Sequence, residues 1–191
     1  MTKRSTAGSI FRSLIALPFL MLGAQAANAQ TAFKAEMPFA ISSCGQSLDA
    51  ETVSLLANRN KLDHTFNNVM KASELGGTKT LLIVMGGSAK GLGEAGIDEK
   101  GELARANALL DAAKKNKAKI IAVHVGGDSR KGPLSDKFIE PVIAKADHLL
   151  VTEDSNKNGA FSELAKNKKI GITVVKKSVD VGKAMKEIFS K

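Results

Sequence analysis

The sequence predicts a three-layer αβα domain with a doubly wound, mostly parallel sheet of five or six strands, flavodoxin-like or Rossmann-like. Short β-branched apolar runs alternate with segments of helical period, the pattern of βαβ units. TLLIVM, residues 80–85, is apolar on both alternating faces, as a strand must be when helices cover the sheet on each side. Turn clusters rich in glycine and serine follow the strands, whereas lysine-rich connections precede most of them.

PFAIS (Pro38 to Ser42) is the first predicted strand, and LDAETVSLLANRN after it is a helix with Val53, Leu55 and Leu56 near one face. HTFN, from His64, is a weaker edge strand followed by a short helical turn. TLLIVM is the central strand. ELARANALLDAAKKN places Leu103, Ala106, Leu109, Leu110 and Ala113 at the spacing of a core-facing stripe. KIIAVHV is a strand, SDKFIEPVIAKA a helix bent near Pro141, HLLVT a strand and GAFSELAKN a helix; ITVVK and VDVGKAMKEIF close the chain. No internal repeat or linker divides it, and a length of 191 residues with 43% hydrophobic and 25% charged composition fits one globular domain.

Residues 1–29 stand apart. Lys3, Arg4 and Arg12 come without any acid, then the apolar LIALPFLMLGA and the small-residue endings AQA and ANA. This is the pattern of a secretory signal peptide, with cleavage expected after Ala29 or Ala26. The apolar run is too short to span a bilayer, so the mature chain is expected in the periplasm. Cleavage would take three of the nine net positive charges with it, leaving a chain that is still basic. Composition argues against nucleic acid as a partner, because there is no Trp or Tyr to stack on bases. Cys44 is the single cysteine, so no internal disulfide can form.

Ligands of open parallel sheets sit outside the carboxyl ends of the strands, at the point where strand order reverses. If the order is 2-1-3-4-5, SSCGQS and GGSAKGLGEAG face each other there. The ligand-binding candidates are therefore Ser43, Cys44, Gly45 and Gln46; Gly86, Gly87, Ser88, Lys90 and Gly91; Gly127, Ser129 and Arg130; and Glu153, Asp154 and Ser155. Glycine-rich turns can aim several backbone NH groups into one concavity, and Lys90 with a helix N-terminus adds positive potential, suiting a phosphate or carboxylate. The run lacks the GK[ST] ending of a P-loop, and GLGEAG does not open directly into a recognisable helix as a dinucleotide fingerprint does.

EDSNKNG matches the first half of an EF-hand loop, but its twelfth position is Ala165 rather than a bidentate glutamate, so no metal site is expected. Paired Cys/His spacing is missing too, and no cofactor is expected. Cys44 and His124 are the catalytic candidates: a thiol near a helix N-terminus has a lowered pKa, and His124 near a strand end could act as its base. The other reading of each is a small space-filling residue and a core histidine.

ISSCGQS, GGSAKGLGEAG, IIAVHVGG with its following basic pair, and LLVTEDSNKNG together resemble a family of exported bacterial α/β domains of unassigned function. The resemblance covers the mature chain and implies a flavodoxin-like or Rossmann-like domain outside the cytoplasm, with no reaction to carry over. Similar sequences are expected to hold an acid near Asn158, where this chain departs. The favoured function is a binding module for a small anionic or polar solute, which it could pass to a membrane-protein partner. Its rivals are a hydrolase or transferase using Cys44 or a nearby serine, and a protein-interaction module.

Overall fold

The computed structural model describes residues 1–2 and 33–190, so most of the expected signal peptide, residues 1–29, lies outside the described residues. Six strands form one all-parallel sheet: β1 (Phe39–Cys44), β2 (His64–Phe66), β3 (Thr80–Met85), β4 (Lys119–His124), β5 (His148–Thr152) and β6 (Gly171–Val175). Their order is β2-β1-β3-β4-β5-β6. The order reverses between β1 and β3, which meets the condition under which SSCGQS and GGSAKGLGEAG face each other, and the sixth strand is present.

The helices are α1 (Asp49–Arg59), α2 (Ala89–Glu94), α3 (Glu99–Lys115), α4 (Pro133–Lys145), α5 (Ala160–Lys168) and α6 (Val181–Phe189). Side-chain alternation along each strand feeds two hydrophobic layers. Ile41, Leu82, Val84, Ile121 and Val123 pack against α1 and α6. Ala40, Leu81, Ile83, Ile120 and Leu149 pack on the other face against α2 to α5. Among the described residues, all six strands and both layers lie within 33–190.

Several boundaries moved. β1 runs on through Ser43 and Cys44, because both are completely buried between the helix layers and pair with Val84 and Met85. A short helix, α2, interrupts the glycine run that read as plain loop; the hydroxyl of Ser88 caps it by accepting from the Gly91 NH at 3.0 Å. Leu55 is 51% exposed, while Val53 and Leu56 are buried, so the inward face of α1 is narrower than expected. Pro141 is accommodated within a continuous α4. Among the described residues, no helix is long and apolar enough to cross a membrane.

Candidate functional site

The loops at the carboxyl ends of the strands do converge, but much of their polarity turns inward. Glu102 of α3 is fully buried and holds the turn after β1 from beneath. One of its oxygens accepts from the Gly45 NH at 2.9 Å, from Gln46 Nε2 at 3.0 Å and from Arg105 Nη2 at 2.8 Å; the other accepts from Arg105 Nε at 2.9 Å. Arg105 also donates to the carbonyls of Ser43 and Met70. Gln46 adds a second amide bond, to Asn68 O. Gly45 and Gln46 thus serve an internal network rather than an open pocket. Sequence reading missed Glu102 and Arg105, although helical period places Glu102 on the stripe of Ala106, Leu109, Leu110 and Ala113.

Cys44 is a core residue. Its side chain is 0% exposed and donates to Phe138 O at 3.4 Å. Burial pushes the thiol up to about 12, with the nearby charge of Glu102 acting in the same direction against the opposing Arg105. The sequence expectation of a lowered pKa and an accessible nucleophile is corrected: the thiol lies at the strand end, inside the α3–α4 layer, and not at the exposed mouth of α1.

His124 is likewise a core histidine. Nδ1 lies 2.8 Å from Ser155 Oγ and Nε2 3.1 Å from Arg130 O, and burial is the main cause that holds its pKa below the ordinary value. The contact has the length of a nucleophile–base pair, but both side chains are completely buried. Ser155 Oγ also accepts from the Gly127 NH and meets Thr152 Oγ1 at 2.8 Å. This cluster ties the loop after β4 to the loop after β5.

At the surface above it, Lys157 bridges Asp128 at 2.6 Å and Asp154 at 2.8 Å, while Lys131 reaches Asp128 at 2.8 Å. Hydrogen bonds from Lys131 and then Lys157 pull Asp128 down to about 2. Asp154 is therefore engaged by Lys157, Ser129 bonds to Gly126 O, and Glu153 is exposed. Among the described residues, no group of three or more metal-ligating side chains is gathered.

The glycine run has a packing explanation. Gly87 donates its NH to Ser135 Oγ at 3.0 Å. A Cβ on Gly91 would overlap the Gln46 carbonyl oxygen, so α2 can approach the β1 turn only because residue 91 is glycine. Lys90 points away: its side chain is 86% exposed and pairs with Glu94 at 3.6 Å. The expected cradle of NH groups with Lys90 at its edge is therefore not assembled.

What occupies the switch point is Arg130. Its Nε stands 3.6 Å from Asp49 Oδ2 in the first turn of α1, an ion pair too long to be a hydrogen bond. The side chains are 30% and 17% exposed. Asp49 also accepts from Ser47 Oγ at 3.2 Å, and α1 has no side-chain cap of its own. Arg130 fits because Gly86 and Gly126 leave room beneath it; a Cβ on Gly126 would overlap both Arg130 Cγ and Asp49 Oδ2. On the same face of β1, two residues before this turn, Ser43 Oγ is buried without a hydrogen-bond partner among the described residues.

Residues 36–189 match a protein family described as a domain of unknown function, DUF6305. The chain belongs to that family. No curated protein matches it. The match spans all six strands and both residues of the Arg130–Asp49 pair, so the pair is part of the family domain and not of an appended segment.

Proposed function

We propose that this chain is an exported, soluble binding module whose site is the crevice over the ends of β1, β3 and β4. Its ligand is a small acid that also carries hydroxyl or ammonium donors. One observation supports this above the rest: Arg130 is held half-exposed at the switch point by a long, non-hydrogen-bonded ion pair with Asp49. Guanidinium donors remain for a carboxylate or phosphate, the uncapped start of α1 favours negative charge, and Asp49 offers an acceptor to the ligand's own donors. A site holding one cation and one anion suits a hydroxy acid or a zwitterion better than a bare anion. Export rests on the basic, then apolar, then small-residue order of the first 29 residues.

Calorimetric titration with inorganic phosphate, short hydroxy acids and amino acids tests the reading. Charge-assisted hydrogen bonds contribute roughly 1.5–3 kcal/mol each, so Arg130→Gln should weaken any ligand found by about 10- to 100-fold. Unchanged affinity in that variant would remove Arg130 from the site and overturn the proposal.

A further inference from the structure

The opposite end of the sheet carries a different kind of surface. In an all-parallel sheet every connection that precedes a strand lies at the amino end, and the register places these connections in one row: His64 beside Phe39, Phe39 beside Thr80, Thr80 beside Lys119 and His148 beside Gly171. Basic residues end α1, α3, α4, α5 and α6 at this face. Lysines in last turns have a local explanation, since the helix dipole is negative there.

Three further lysines stand just past the last turn, at a backbone cost. Lys61, Lys117 and Lys169 follow α1, α3 and α5 with φ of 58°, 58° and 56°, the left-handed conformation for which glycine or asparagine is preferred at a helix end. All three are exposed, and none has an ion-pair partner among the described residues. The same strained position is filled by a cation at three alternate connections of one face. Lys117 also lines a groove of about 350 Å³ there, with Phe33, Lys114, Lys119 and Asp147.

We propose that this amino-end face docks on an anionic lipid bilayer. Charge complementarity favours a broad anionic surface, because six strands at about 4.8 Å spacing spread the lysines across more than 20 Å. Lys61 follows a helix on one side of the sheet and Lys117 and Lys169 follow helices on the other, so the charges spread in two dimensions, which suits a planar bilayer better than a linear polyanion. Phe33 stacks on His148 with ring centroids 4.4 Å apart, and Lys34 Nζ donates to Glu187 O at 3.0 Å, so the chain enters the domain at this face. Tryptophan and tyrosine, two of the residues that stack on bases in nucleic-acid sites, do not occur in the chain. The docked orientation turns the Arg130 crevice away from the membrane.

Flotation of residues 32–191 with vesicles of phosphatidylglycerol and phosphatidylcholine, at about 0.1 M ionic strength, measures the docking. The triple variant Lys61→Gly, Lys117→Gly, Lys169→Gly should lose about 100-fold in partitioning, about fivefold per lysine, while its melting temperature stays level or rises because glycine relieves the left-handed backbone. Lys100→Gln, Lys176→Gln, Lys183→Gln removes the same charge from the carboxyl end and should leave binding within about threefold. Equal losses in the two triples would show net charge alone at work and overturn the proposal. So would binding to phosphatidylcholine alone, or capture by duplex DNA with no flotation on anionic vesicles.

Discussion

Arg105 and Glu102 form a buried ion pair one turn apart on α3, closed at 2.8 Å, and through it the helix grips the last residues of β1. Glu102 serves the Gly45 NH and the Gln46 amide, while Arg105 serves the Ser43 and Met70 carbonyls. Removing one partner leaves the other charge uncompensated, along with several orphaned polar groups. Glu102→Ala should lower stability by about 3–5 kcal/mol in urea unfolding. Glu102→Gln keeps an acceptor oxygen and should cost less. A loss below about 1 kcal/mol for the alanine variant would mean that water replaces the carboxylate.

The Cys44 thiol should be chemically silent in the native protein. It is fully buried, it donates to Phe138 O, and its pKa is raised to about 12, so almost no thiolate exists near neutrality. A disulfide reagent such as Ellman's should react only on the timescale of unfolding and fully in guanidinium. Rapid native labelling would show that the strand end opens, returning the thiol to the list of nucleophiles. Cys44→Ala should leave ligand binding intact and cost on the order of 1 kcal/mol in stability.

Stability should fall in mild acid through His148. Burial lowers its pKa from 6.5 to about 4, with Nε2 on Thr173 Oγ1 at 2.8 Å and Phe33 stacked on the ring. Asp147 and Lys119 line the groove that also takes in Phe33, the ring stacked on His148. A histidine kept neutral by the fold binds fewer protons folded than unfolded between these two values, so stability is full above about pH 6.5 and declines as pH drops towards 4. His124, lowered by the same cause, acts in the same direction. Melting temperatures across this range should show the decline, and His148→Gln should flatten part of it. A variant that keeps the full slope would assign the effect elsewhere.

Legibility in the sequence followed how far burial is local. TLLIVM was read to its exact ends because both faces are apolar. HTFN was correctly placed at an edge, whereas the switch point was legible only on the condition of a 2-1-3-4-5 order, because strand order depends on packing between distant segments. Ser43 and Cys44 read as loop because small polar residues followed by glycine look like a turn, yet β3 pairs with both. Glycines likewise concealed α2, whose helix depends on the Ser88 cap and on close approach to Gln46. For the candidate site, the sequence named the loops that gather at the carboxyl ends of the strands but not which way their side chains turn. Ser155, His124 and Gln46 face inward to partners far along the chain, and Asp49, which pairs with Arg130, lay inside a predicted helix.

Gly126 offers a separation between the fold and the crevice. An added Cβ would overlap Arg130 Cγ and Asp49 Oδ2 and crowd Arg130 Cβ at 2.8 Å, so the guanidinium must leave its place and the turn carrying Arg130 must give. Gly126→Ala should therefore cost about 1–2 kcal/mol in stability while displacing the guanidinium from the switch point. Ligand affinity should drop nearly as far as in Arg130→Gln. Gly93→Ala supplies the contrast: nothing lies within 4 Å of its Cβ position, and alanine is the better helix former by roughly 0.5–1 kcal/mol, so stability should rise with affinity unchanged. If Gly126→Ala keeps full affinity, the acid is bound by groups other than the displaced Arg130, and the crevice is only a packing feature.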